Sequence, residues 1–143
     1  MNKLIALLII GIWIGLVLGL SFIEAPLKFQ APGITTELGL GIGRLVFGTL
    51  NKIEIALAIF FIIMHYGVVE KLDIIYIGLG LIVLLIVMTQ TFYLLPTLDN
   101  RAVLRLGGEV VTPSCHHLTF VVIEVIKLIS LIFLFIKIYK LPV

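Results

Sequence analysis

Apolar residues run almost unbroken through four stretches of the chain, and the polar positions collect at their ends. Residues 4–23 and 74–95 contain no charged side chain. Residues 118–139 are interrupted by Glu124, Lys127 and Lys137, and residues 53–69 carry Glu54 near their start and His65 near their end. A hydrocarbon core about 30 Å thick is crossed by about 20 mainly apolar residues in helix, because each backbone polar group must be bonded within its own segment. The pattern therefore predicts four spans and one integral domain over residues 1–143, an all-α polytopic membrane four-helix bundle.

The connection between the first two spans is too apolar for an ordinary loop. Pro26 and Pro32 each lack a backbone donor and restrict the residue before them, so both are expected to break helix, with a turn near Ala31-Pro32-Gly33. From Thr36, the residues Leu38, Ile42, Leu45, Val46 and Thr49 repeat at helical spacing while Glu37, Arg44 and Lys52 fall elsewhere. That is the signature of an interfacial amphipathic helix leading into the second span. Gly39, Gly41, Gly43 and Gly48 each weaken it by up to about 1 kcal/mol relative to Ala. Their expected role is close packing, since the glycine run lacks the spacing and βαβ setting of a dinucleotide motif. Residues 70–73 should close a hairpin, and residues 96–115 should form a longer loop outside the lipid.

In the first span, Gly11, Gly15 and Gly19 recur every four residues, which predicts a helix-packing face for a partner within the chain or in a second copy. The same span reads as a retained anchor rather than a cleaved leader, because its apolar run is too long and Pro26 follows Ala25 directly.

Composition removes several classes. With 62% hydrophobic and 13% charged residues and a mean hydropathy of +1.30, the chain is not a soluble domain. The net charge of +2 comes from dispersed lysines and arginines, so the partners expected are the lipid bilayer and a second copy or a membrane-complex subunit, not nucleic acid. Four spans put both termini on one side. The expected location is the inner membrane of a bacterium with cytoplasmic termini, although the basic residues at the two ends of the spans are nearly balanced.

That topology gathers the polar residues of span ends at one membrane face. Glu24 and Lys28 leave the first span, Glu54 enters the second, Gln90 and its neighbouring threonines close the third, and His116, His117 and Glu124 open the fourth, with Lys127 one turn deeper. Charges at membrane depth mark functional pathways unless they merely pair. Glu54, Gln90, His117, Glu124 and Lys127 are therefore the candidate solute- or ion-binding set. The bland alternative is an ion pair from Lys127 to Glu124 or Glu54 that braces the bundle. Cys115, His116 and His117 offer metal-ligating donors, but adjacent helical residues diverge by about 100°, so a site would need a non-helical lead-in to the fourth span. No catalytic residue stands out, since Cys115 and the serines lack the setting that activates a nucleophile, and no particular cofactor is indicated.

Trp13-x-x-Gly, the stretch Ser21-Phe22-Ile23-Glu24-Ala25-Pro26-Leu27-Lys28-Phe29, and Gly43-Arg44-Leu45-Val46-Phe47 together resemble a family of small four-span membrane proteins. The family is that of transmembrane protein 205 and its bacterial relatives, a domain of unknown function. Pro96, Arg101 and His117 occupy comparable places, whereas Lys28 and the Glu124–Lys127 pair have no counterpart in that pattern. The resemblance implies the four-span topology and no established activity. The expectation overall is a protein that binds or passes a small polar solute or ion. Its alternatives are a structural or accessory subunit of a membrane complex and a metal-binding membrane enzyme.

Overall fold

A computed structural model describes residues 3–65 and 73–140, with the backbone alone for His65. The described residues form four long helices, α1 (Lys3–Gln30), α2 (Thr36–His65), α3 (Ile74–Leu106) and α4 (His116–Lys140), all long and apolar enough to cross a membrane. The chain is an all-α four-helix membrane bundle in which α4 packs chiefly against α3 and α1. The expected hairpin at residues 70–73 lies outside the described residues except for Asp73.

At about 1.5 Å per residue, α1, α2 and α3 are each longer than the roughly 30 Å hydrocarbon core. Lys3, Asp73, Lys137 and Lys140 mark the end of the bundle at which the described residues begin and finish. Counting about 20 residues from there puts the other boundary near Glu24, Leu45, Leu95 and His117. The remaining turns stand above that boundary as a collar. Arg44 joins two of its helices, its Nε and Nη2 donating to the Asp99 carboxylate at 2.5 and 3.0 Å.

Three expectations from the sequence are not met. The interfacial helix is not a separate element: Thr36–His65 is continuous, because no proline interrupts it and glycine alone does not end a helix. Its start is capped by Thr35, whose Oγ1 accepts the Leu38 N–H at 3.2 Å. Pro26 does not break α1, and Pro96 does not begin a loop. Each proline follows a π-helical stretch, Val17–Glu24 in α1 and Gln90–Leu94 in α3. In these stretches the bonding slips to i−5, with Ala25 N–H donating to Leu20 O and Leu95 N–H to Gln90 O. The slip makes room for the pyrrolidine ring and for its missing donor. Threonines bond back onto the helix here: Thr91 and Thr97 donate to Val87 O and Tyr93 O, four residues earlier, both at 2.7 Å. The loop before α4 is consequently shorter than expected. It begins where Gly108, at φ 85°, turns the chain out of α3. The turn expected at Ala31-Pro32-Gly33 is present, with Gly33 at φ 81°.

The two halves of the bundle are built differently. Towards the termini, Ala6, Ile10, Trp13, Ala58, Tyr76, Val83, Leu134 and Ile138 form a dry apolar core. The crevice among Trp13, Phe61, Gly80 and Leu134 has a volume of about 0 Å³. Asp73 closes this end by capping α3, its carboxylate accepting the Tyr76 N–H at 2.7 Å and pairing with Lys137 at 2.7 Å. The other half holds the polar residues and an open cavity.

Candidate functional site

Lys127 stands at the centre of the polar half, with a relative exposure of 0%. Its Nζ lies 2.6 Å from Glu54 Oε1, 3.0 Å from Glu124 Oε2 and 2.9 Å from Gln90 Oε1. The ammonium thus contacts one oxygen from α2, one from α3 and one from its own helix, donating a hydrogen bond to Gln90 and pairing with the two carboxyl groups. The placement follows from helix geometry. Side chains lean towards a helix N-terminus, which carries the Lys127 ammonium up towards Glu124, one turn earlier on the same face.

Glu54 is further held by Trp13, whose Nε1 donates to Oε1 at 2.9 Å. Glu124 is held less completely. Ser21 Oγ, from the π-helical part of α1, donates to its Oε1 at a long 3.4 Å. Its Oε2 touches the Lys127 ammonium but receives no aligned hydrogen bond. Glu54, Gln90 and Glu124 are all nearly fully buried. Two carboxyl groups thus share one ammonium, a formal charge of −1 with both ionised. The more weakly satisfied of the two is Glu124.

Glu124 also lines a cavity of about 730 Å³ bounded by the collar, within the size range of small-molecule pockets. The walls are mostly apolar and aromatic, including Phe22, Phe29, Phe47 and Phe120. Ser21, Asn51 and Thr91 are polar groups of the same lining, with Asn51 Nδ2 donating to Thr91 Oγ1 at 3.0 Å. Higher up, Lys28 pairs with Glu24 at 3.3 Å and sits over the rings of Phe29 and Phe47. A Cβ on Gly39 would strike the Phe29 ring, and one on Gly43 would come within 3.3 Å of Lys28 Nζ. Those two glycines do serve close packing, by letting the end of α1 lie on α2. Gly41 and Gly48 meet nothing within 4 Å.

Of the solute- or ion-binding set, the structure brings Glu54, Gln90, Glu124 and Lys127 into contact. His117 lines the same cavity without touching them. The metal set is not assembled: among the described residues no three His, Cys, Asp or Glu side chains are grouped to hold an ion. The reason is the one that tells against neighbouring ligands on a helix. α4 begins at His116, so its imidazole turns to Tyr93, whose OH is 3.5 Å from Nε2, while His117 faces the cavity and Cys115 is exposed. Of the glycine face, a Cβ on Gly11 would make an ordinary contact at 3.8 Å with Phe135, and one on Gly15 or Gly19 would meet nothing within 4 Å, so among the described residues no helix packs closely on the last two.

Sequence reasoning passed over Trp13, Ser21 and Asn51 as members of the site. Trp13 carried a readable signal. Tryptophan concentrates at membrane interfaces, and one in the middle of a span needs a partner for its N–H. Trp13 and Ser21, eight residues apart, also share a helix face.

No family model matches the chain, and neither a curated protein nor a solved structure matches it.

Proposed function

We propose that the protein binds a small polar solute or ion at Glu124, taken up through the collar cavity, and passes it across the membrane when the dry half of the bundle opens. One observation carries this reading. A surplus buried carboxylate, lacking a full set of donors, lines a cavity large enough to admit a ligand. A purely structural pair would be expected to balance its charges, because an uncompensated ion at this depth is destabilising. Glu54 and Lys127 form such a balanced pair, with Trp13 fixing the carboxylate. Glu124 is the group left over for chemistry, and Gln90 steadies the ammonium between the two.

The same proposal places the chain in a bacterial inner membrane with both termini cytoplasmic, and keeps the kinship with the transmembrane protein 205 family that the quoted motifs suggest. Cysteine accessibility tests the site. In a Cys115→Ser background, Val121→Cys in the cavity wall should react from water with an ethylammonium methanethiosulfonate at least tenfold faster than Ile132→Cys, an exposed position deeper on α4. Equal, negligible rates would leave the cluster as an internal brace and favour the structural-subunit alternative.

A further inference from the structure

The cavity carries more information than a site for an ion needs. A bare ion would be gripped by converging ligands, yet among the described residues no acidic and imidazole group is assembled for one, and about 730 Å³ of largely apolar space stands above the carboxylate. The ligand that fills such a space has an apolar body. Its head is fixed by the floor, where the Glu124 carboxylate lines the cavity and shares its ammonium with Glu54. Glu124 Oε2 touches the Lys127 ammonium without an aligned hydrogen bond, and Ser21 Oγ keeps its lone pairs after donating to Glu124, whereas Asn51 and Thr91 are engaged with each other.

The cluster's charge points the same way. Its formal surplus of one negative charge repels a carboxylate or phosphate head and attracts a cation, and water exclusion strengthens both effects. The cations higher in the wall do not reverse this, because Lys28 is held by Glu24 and Arg44 by Asp99. That leaves Lys52 in the wall, itself an exposed side chain.

We infer that the cavity binds an amphiphilic amine, with its ammonium on Glu124 and its apolar body against Phe22, Phe47, Phe120 and Val121. This rests on the reading of Glu124 as the binding carboxylate and adds the class of ligand. The ammonium's donors match Glu124 and the neighbouring Ser21 hydroxyl, and an aliphatic amine stays protonated at neutral pH. The phenylalanine rings suit either an aliphatic or an aromatic body, and their faces are favourable to a nearby cation.

Three probes of one shape and different heads test this: phenylbutylamine, phenylbutanol and phenylbutyrate, measured by equilibrium dialysis against the full chain in lipid nanodiscs, with empty nanodiscs subtracted. The amine should bind saturably and at least tenfold tighter than the other two. Gly48→Leu projects into the open cavity and should weaken amine binding tenfold or more, as should Glu124→Gln, while Gly41→Leu, outside the cavity, binds as wild type. If Glu124→Gln does not assemble, Gly48→Leu and the ranking of heads decide. Phenylbutyrate or phenylbutanol binding as tightly as the amine, and lost in Gly48→Leu, would overturn the amine class and leave the cavity as a site. Amine binding unchanged in a folded Glu124→Gln would remove the ammonium from Glu124. Failure of Gly48→Leu to alter binding of any probe would overturn the site itself.

Discussion

Lys127→Met is the most informative single perturbation of the cluster. In the native protein one ammonium lies 2.6 Å from Glu54 and 3.0 Å from Glu124, so the formal charge of the three groups is −1. Replacing Lys127 with Met makes it −2 and leaves both carboxylates buried without a counter-ion. Breaking a buried pair in this way costs about 3–5 kcal/mol, roughly a hundred- to several-thousand-fold in the folding equilibrium. Glu124→Gln does the opposite. It removes the surplus charge, keeps the shape and brings the cluster to neutrality, so its expected cost is below about 1.5 kcal/mol. Glu54→Gln falls between, because Glu54 makes the shorter contact and also holds Trp13. Trp13 is the sole tryptophan and reports on the cluster directly, so unfolding in mixed micelles of increasing denaturing detergent can be followed by its fluorescence. The expected order of destabilisation is Lys127→Met, then Glu54→Gln, then Glu124→Gln. A Glu124→Gln protein as unstable as Lys127→Met would refute the assignment of Glu124 as the surplus group.

Three further outcomes follow from the packing and the charges. Hydrogen bonding from the Lys137 ammonium, and then from the Tyr76 backbone N–H, holds the Asp73 carboxyl below the usual carboxylate range. Its folded value lies under its unfolded one, so the stabilisation it provides is complete above about pH 4 and is lost as pH falls through the lowered value. Asp73→Asn should therefore flatten the acid limb of thermal stability between neutral pH and about pH 3, and an unaltered limb would contradict this. Gly39→Ala should displace the Phe29 ring and destabilise by about 1 kcal/mol, whereas Gly41→Ala, in open space, should stabilise by about 0.5–1 kcal/mol. Chemical unfolding of the pair checks the opposite signs. The Arg44–Asp99 pair is exposed, so its coupling in a double-mutant cycle should shrink as salt rises, and a salt-independent coupling would contradict its assignment as a surface tie.

The four spans were legible because lipid leaves a chain few choices: an uncharged run of bilayer length has to be helix. The gathering of Glu54, Gln90, Glu124 and Lys127 was legible too, once an even number of antiparallel spans placed their ends together. Proline was misread. In water, Pro26 and Pro96 would be sound places to end a helix. Within a bundle the i−5 slips at Val17–Glu24 and Gln90–Leu94 carry the helices through, and nothing in residue spacing signals where a slip occurs. The error had consequences beyond boundaries, because the helix that continues past each proline forms the collar, and the collar makes the cavity. The division between Glu54 and Glu124 was likewise invisible, since it depends on distances of 2.6 and 3.0 Å and on an indole donor from another helix.

The most direct test of Glu124 as the reachable, surplus carboxylate is its reaction with dicyclohexylcarbodiimide, a lipophilic reagent that adds to protonated carboxyls and leaves a stable acylurea. Wild-type protein in nanodiscs would be treated at mildly acidic pH and the modified residue located by peptide mass spectrometry. Glu124, which lines the cavity, should be modified, and Glu54, buried behind it against Trp13 and Lys127, should not. Modification of Glu54 in preference to Glu124, or of neither, would contradict the account.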